Sequence, residues 1–227
     1  MVAVLFYFYL VTGVLSSPDV QNGIIECPVN STWLGKFSDG WSFMTDNTPM
    51  YLTRRTFNPD PKGRNLTACV SANTTRADNT TNEVEQTLTY YNLTSCKWLN
   101  FTKNYTAYSF YSNETVRNAF NSSIYDITLN LNIQALSCRF MFIGKPVTYP
   151  VVYTDHECLL TYLPYRGNDS VACEVWVKGS YFENSSETCC DKIFDQLCAP
   201  MAQIMYNATQ CNILNDPAAP RAVKNKE

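Results

Sequence analysis

The chain has 227 residues, with 17 Lys and Arg against 20 Asp and Glu, 10 Cys and a single His. A slightly acidic balance of −3 with no basic run excludes nucleic acid and anionic membrane as natural partners. Any Ser-His-Asp or Cys-His device would depend on His156, which reads as an exposed loop residue beside Asp155. No nucleophile elbow, zinc-protease helix, phosphate loop or dinucleotide fingerprint accompanies it, so no enzyme, cofactor or metal is expected.

Val2 to Leu15 form an apolar run too short to span a bilayer, followed by Ser16 and Ser17. No Lys or Arg precedes the run. We read residues 1–17 as a signal peptide, 18–215 as one domain and 216–227 as a polar tail without a lipid-anchor signal, which predicts a secreted, extracellular protein. Trp33, Phe37, Trp41 and Met44 recur at helical spacing and predict a short helix opening near Ser31 or Thr32. Strand patterns follow at 50–57, 66–72, 85–93, 97–101, 105–111, 124–131, 137–143, 147–153, 157–163 and 171–178. An N-cap near Ser185 or Ser186 opens a second helix, in which Cys190, Ile193, Phe194 and Leu197 share one face and Pro200 lies just beyond the end. Successive strands with short polar connections describe a closed up-and-down barrel, all-β, and about eight strands can hold one small ligand inside. Fifteen Tyr and twelve Phe supply bulky side chains for such an interior.

Two features agree with the extracellular address. Ten cysteines without a Cys-x-x-Cys pair read as a disulfide framework and not as metal ligands. Twelve Asn-x-Ser/Thr sequons occur, at Asn30, Asn65, Asn73, Asn79, Asn92, Asn100, Asn104, Asn113, Asn121, Asn168, Asn184 and Asn207. That density predicts a glycan-covered surface, above all around residues 65–121.

The most informative stretch is 153–198, which holds five of the cysteines. In Cys173-Glu174-Val175-Trp176-Val177 a period of two sets Glu174 and Trp176 on one face and the others on the opposite face. A carboxylate beside an indole on an inward face needs a partner, either a bound cation or a structural ion pair.

These residues carry a resemblance. Asp39-Gly40-Trp41, the stretch MYLTRRTFNPDP followed by TACVSA, Val152-Tyr153-Thr154-Asp155 before Cys158, Cys173-Glu174-Val175-Trp176-Val177, and Cys189-Cys190 with Cys198 occur in order. As a set they resemble the tick salivary lipocalins of the histamine-binding family over most of the chain. The resemblance implies an eight-stranded antiparallel lipocalin barrel, with a short N-terminal helix and a C-terminal helix packed outside. It implies Cys69 paired with Cys211, Cys158 with Cys189 or Cys190, and Cys173 with Cys198. Among the leftover cysteines, Cys96 is assigned to Cys138 and Cys27 to the remaining helix cysteine.

The resemblance also implies capture of a small molecule by a monomer: an inflammatory mediator of the host, sequestered in tick saliva as immune evasion. Glu174 matches the family's amine-binding glutamate, with Trp176 on its face. Asp60 matches an acidic ligand residue, Phe57 falls where a Tyr is usual, and Asp39 matches a helix aspartate of a second amine site. Leu159 stands where two-site histamine binders carry an aspartate, which removes half of that second site. If Phe57 faces inward, a period of two also brings in Arg55, Thr53 and Tyr51. Arg55 would then neutralise Glu174 or Asp60, or receive a ligand carboxylate, unless a bulge turns it outward. An amine such as histamine leads the expected ligands, supported by Glu174, Trp176, Asp60 and Phe57. Arg55 and Leu159 favour an eicosanoid instead, and a protein-binding inhibitor of complement or haemostasis would use the outer loops.

Overall fold

Buried side chains fall into two cores, and along the third and fourth strands they alternate with period two. In the computed structural model, which describes residues 27, 38–57, 66–110, 115–126, 147–163, 172–183, 187–198 and 202–215, a short helix α1 (Trp41–Thr45) precedes the strands. These are β1 (Met50–Arg55), β2 (Thr67–Asp78), β3 (Glu83–Asn92), β4 (Lys97–Tyr108), β5 (Ala119–Asp126), β6 (Val147–Thr154), β7 (Cys158–Tyr162) and β8 (Cys173–Lys178). Each strand pairs antiparallel with the next, and β1 pairs with both β8 and β2, so the eight strands close into a barrel. The β1–β2 seam is short, Met50 facing Ala72 and Tyr51 facing Ser71. Where the two strands part, β9 (Gln203–Ile204) takes over as partner of Arg54 and Arg55. Met205 binds both sides of that gap, donating its N–H to Thr53 O and accepting from Cys69 N.

Inside the barrel lie Met50, Leu52, Val84 and Leu88, with Tyr105, Phe120, Tyr149, Val151, Leu159 and Trp176. Phe43 and Met44 of α1 close one end of this core. The second core is outside. Cys158 and Leu160 of β7 and Cys173, Val175 and Val177 of β8 pack under Ile193 and Phe194 of α2 (Cys189–Leu197). Both faces of β7 and β8 are therefore buried, and these strands lose the usual apolar-polar alternation. Thr188 caps α2 in a reciprocal capping box with Asp191, three residues later than Ser185. Leu197, expected on the buried face of this helix, is 42 % exposed, although Cys198 just beyond it is buried and bonded to Cys173.

Disulfides fix the outer layer. Cys27 bonds to Cys189, Cys158 to Cys190, Cys173 to Cys198 and Cys69 to Cys211. Three of the four hold α2 or its C-cap, and the fourth holds α3 (Ala208–Asn215). Three of these are pairings the resemblance implied, with Cys190 the partner of Cys158, and Cys27 takes the remaining helix cysteine, as assigned among the leftovers. Cys96 makes no disulfide among the described residues, and Cys138 lies outside them. Arg54 adds a polar clamp to α2. It pairs with Asp195 and, at 3.6 Å, with Asp191, and its guanidinium lies 4.3 Å from the Phe194 ring centre.

The strand boundaries depart from expectation in three places, the first being β2, which runs six residues past 72 to Asp78. The segments 97–101 and 105–111 are one strand, β4, since Thr102, Lys103 and Asn104 pair in register with β3. The segment 124–131 starts earlier, at Ala119, where Phe120 points into the core. The expected strand 137–143, the start of the first helix at Ser31 or Thr32, and Pro200 lie outside the described residues.

Candidate functional site

Strand β8 sends three side chains inward in succession: Glu174, Trp176 and Lys178. On its neighbours the register sets Arg55 and Thr161 on either side of Glu174, and Leu52 and Leu159 on either side of Trp176. Glu174, Trp176, Leu159 and Thr161 line a cavity, together with Gln86 and Tyr105 from the opposite wall, Phe120, Tyr149, and Met44 and Met50 at its closed end. Among the described residues Glu174 is the single charged side chain in that lining. One of its oxygens, Oε2, accepts a 3.3 Å hydrogen bond from Trp176 Nε1. Beside it the Thr161 hydroxyl, 4 % exposed, has no hydrogen-bond partner among the described residues. A buried hydroxyl in that state costs free energy and is poised to bind a polar group of a guest.

The free space is small. It amounts to about 20 Å³ for water-sized bodies, enough for roughly one water. The lining is mostly rings and thioethers, so a guest larger than water enters by displacing Met44, Met50 or the aromatic walls. Methionine is suited to that, with three rotatable bonds and no branch.

Cations surround the cavity. Lys103, 4 % exposed, donates 2.7 Å to Tyr149 Oη and lies 4.2 Å and 4.6 Å from the ring centres of Tyr149 and Tyr105. Two electron-rich ring faces and a phenol oxygen replace water around this ammonium. Lys178, also 4 % exposed, sits under α1, 4.5 Å from the Phe43 ring centre, where it donates to Thr48 O and lies 3.9 Å from Asp46 Oδ2. Burial pushes its ammonium below the usual lysine range, and Asp46 opposes that shift. Arg55, 5 % exposed, donates to Gln203 Oε1 and Thr67 Oγ1, with its guanidinium 6.0 Å from the Phe57 ring centre.

The residues singled out from sequence divide accordingly. Glu174 and Trp176 share the cavity wall. Arg55 is inside and directly opposite Glu174, and Phe57 packs half-buried on the interior core. Tyr51 does not join them. A bulge between Leu52 and Arg54 reverses the alternation, so Tyr51 points outward and meets Phe182 and Tyr206 at 5.3 and 4.6 Å between ring centres. The bulge anticipated for this strand is thus present, but it turns Tyr51 out and leaves Arg55 buried. Asp39 is exposed and accepts from Trp41 N at the entry to α1, away from the cavity lining. Asp60 lies outside the described residues.

Sequence reasoning passed over Thr161, Gln86, Lys103, Tyr105, Tyr149 and Lys178. Two signals were available. The alternation that selects Glu174 and Trp176 continues to Lys178, and an unbroken β4 puts Lys103, Tyr105 and Ala107 on one inner face.

Comparison with known proteins bears on this site. The family model described as tick histamine binding protein matches residues 29–213. No curated protein matches the chain. Among solved structures, Japanin from Rhipicephalus appendiculatus bound to cholesterol is similar at 15 % identity with a TM-score of 0.45, covering 71 % of this chain and 93 % of that one. The siderocalin Ex-FABP, described as functioning through dual ligand specificities, is similar at 11 % identity with a TM-score of 0.42 and the same coverage, 71 % and 93 %.

Proposed function

The chain belongs to the tick histamine-binding protein family, with its ligand-binding lipocalin barrel, and from that premise we propose that its lumen captures a small biogenic amine. The observation that carries the reading is the composition of the cavity wall. Its one carboxylate among the described residues, Glu174, is held beside the Trp176 indole, and the Thr161 hydroxyl, without a hydrogen-bond partner among those residues, stands next to it in register. A protonated amine desolvated in the barrel needs a charge partner and gains from ring faces, and Glu174 with Trp176, Tyr105 and Tyr149 supplies both. Leu159 makes the neighbouring wall apolar, which supports one amine site instead of two. Secretion, glycosylation and a salivary role in blunting host inflammation follow as parts of the same proposal. The test is calorimetric titration of histamine into protein secreted from eukaryotic cells. One saturable equivalent supports the proposal, and no heat up to millimolar histamine removes it.

A second reading rests on its own observation. Lys103 is buried, donates 2.7 Å to Tyr149 Oη and has the Tyr105 and Tyr149 rings around its ammonium, both rings lining the cavity. A buried ammonium and a phenol on that wall favour a carboxylated lipid mediator such as an eicosanoid, its acid group directed at Lys103 and Tyr149. Binding of a leukotriene that Lys103→Met abolishes would select this reading over the amine.

A further inference from the structure

We infer that Asn100 carries an N-linked glycan whose first sugar stacks on an aromatic pair, Trp98 and Tyr91, on the outer face of the barrel. Along β4 the side chains of Lys103, Tyr105 and Ala107 are buried inward, so Trp98, Asn100, Thr102 and Asn104 face out. Trp98 stands opposite Tyr91 on β3, their ring centres 5.6 Å apart at 69°. The indole is held in place from one side, since its Nε1 donates 3.3 Å to Leu214 O at the end of α3.

Asn100 is two residues further along the same face, opposite Thr89, which puts it roughly 6.5–7 Å along the strand from Trp98. Both Asn100 and the Thr102 that completes its sequon are exposed. A pyranose presents a face of C–H bonds with partial positive charge, and an aromatic face is negative, so the two are matched in shape and charge. Around the pair the outer face is polar, with Thr87, Thr89 and Thr102. The half-buried rings of Trp98 and Tyr91 form the aromatic pair nearest to Asn100 on this face among the described residues of β3 and β4. Neighbouring sequons are placed differently. Asn92 follows Tyr91 and so alternates to the other side, where its Oδ1 accepts from Thr94 N and Ser95 N in the hairpin turn. Asn104 lies four residues further along β4 than Asn100 does from the turn, beyond reach of a first sugar on Trp98. The sugar on Asn100 would cover the rings and tie the β3–β4 hairpin to its own surface.

The test uses the full chain, secreted with high-mannose glycans and trimmed enzymatically to one N-acetylglucosamine per site. Glycopeptide mass spectrometry is expected to find Asn100 occupied. Thermal unfolding of wild type, Asn100→Gln, Trp98→Ala and the double variant should show a Tm loss of about 2–4 °C for Asn100→Gln with Trp98 present, and none without it. Nuclear Overhauser contacts between the N-acetyl methyl group at Asn100 and the indole protons, measured on wild type alone, decide the matter if Trp98→Ala does not fold. An unoccupied Asn100, additive Tm losses, or absence of those contacts overturns the inference.

Discussion

Replacing Thr161 with Val should stabilise the ligand-free protein and weaken ligand binding, two effects of opposite sign from one atom. Thr161 is 4 % exposed on β7 and its hydroxyl has no partner among the described residues. Val keeps the branched shape and suits a strand equally well. What changes is an oxygen, removed from a site where an unsatisfied hydroxyl costs about 1–3 kcal/mol. A water entering the small cavity would relieve part of that cost, so the net gain is expected near 1 kcal/mol, or about 2–4 °C in Tm for a chain of this size. Urea unfolding measures it, as a raised midpoint at unchanged slope. In the complex the hydroxyl is paired with the guest, and losing a net hydrogen bond of about 1 kcal/mol weakens binding by roughly five-fold. Saturating ligand should therefore erase the stability advantage of Thr161→Val. A variant that is less stable than wild type without ligand would refute the reasoning, because it would mean that the hydroxyl is already satisfied.

Two further expectations concern the closed end of the barrel. Lys178→Met should be neutral or stabilising near neutral pH, since a buried ammonium gives way to an apolar chain of similar length. Because burial lowers the Lys178 pKa, the unfolded chain binds the extra proton between the depressed value and the ordinary 10.5. Wild-type stability relative to Lys178→Met should then rise through that alkaline window, and a flat difference would contradict the burial. Taking the difference is needed because Tyr153 and Tyr181, pushed up to about 12, make stability fall from the ordinary tyrosine value of 10.0 upward. Gly40→Ala should destabilise by about 1–3 kcal/mol in urea unfolding, through overpacking of the core. An added Cβ would stand 2.8 Å from Phe120 Cε2 and 2.9 Å from Val151 Cγ2, both in the well-filled interior. An unchanged midpoint would mean that α1 does not seat as described.

Much of this molecule could be read from periodicity, and the places where reading failed have physical causes. The outer and inner faces of β8 followed from alternation, because a strand buried on both sides still alternates in chemistry: sulfur and valine outward, Glu174 and Trp176 inward. Tyr51 was misplaced because alternation carries no mark of a bulge. The extra residue near Thr53 is absorbed in the ladder with β8, and every side chain before it changes face. Lys103 was passed over since a lysine amid Thr, Asn and Tyr looks like a solvated position, and only its two ring partners, from β4 itself and from distant β6, reveal otherwise. Helix α3 had no apolar face to announce it, with Ile213 and Leu214 both exposed and its attachment made by Cys211 and by Leu214 O. That the Thr161 hydroxyl lacks a partner among the described residues is a property of three-dimensional packing and leaves no trace in sequence.

The central claim is that the Glu174 carboxylate is the counter-charge of a bound amine, and histamine titration of wild type beside Glu174→Gln tests it most directly. Gln keeps size and an acceptor for Trp176 Nε1, and removes only the charge. A charged hydrogen bond of about 1.5–3 kcal/mol predicts a loss of roughly ten- to a hundred-fold in affinity. Equal affinity for histamine in the two proteins would contradict the account, and so would a wild type that binds no amine at all.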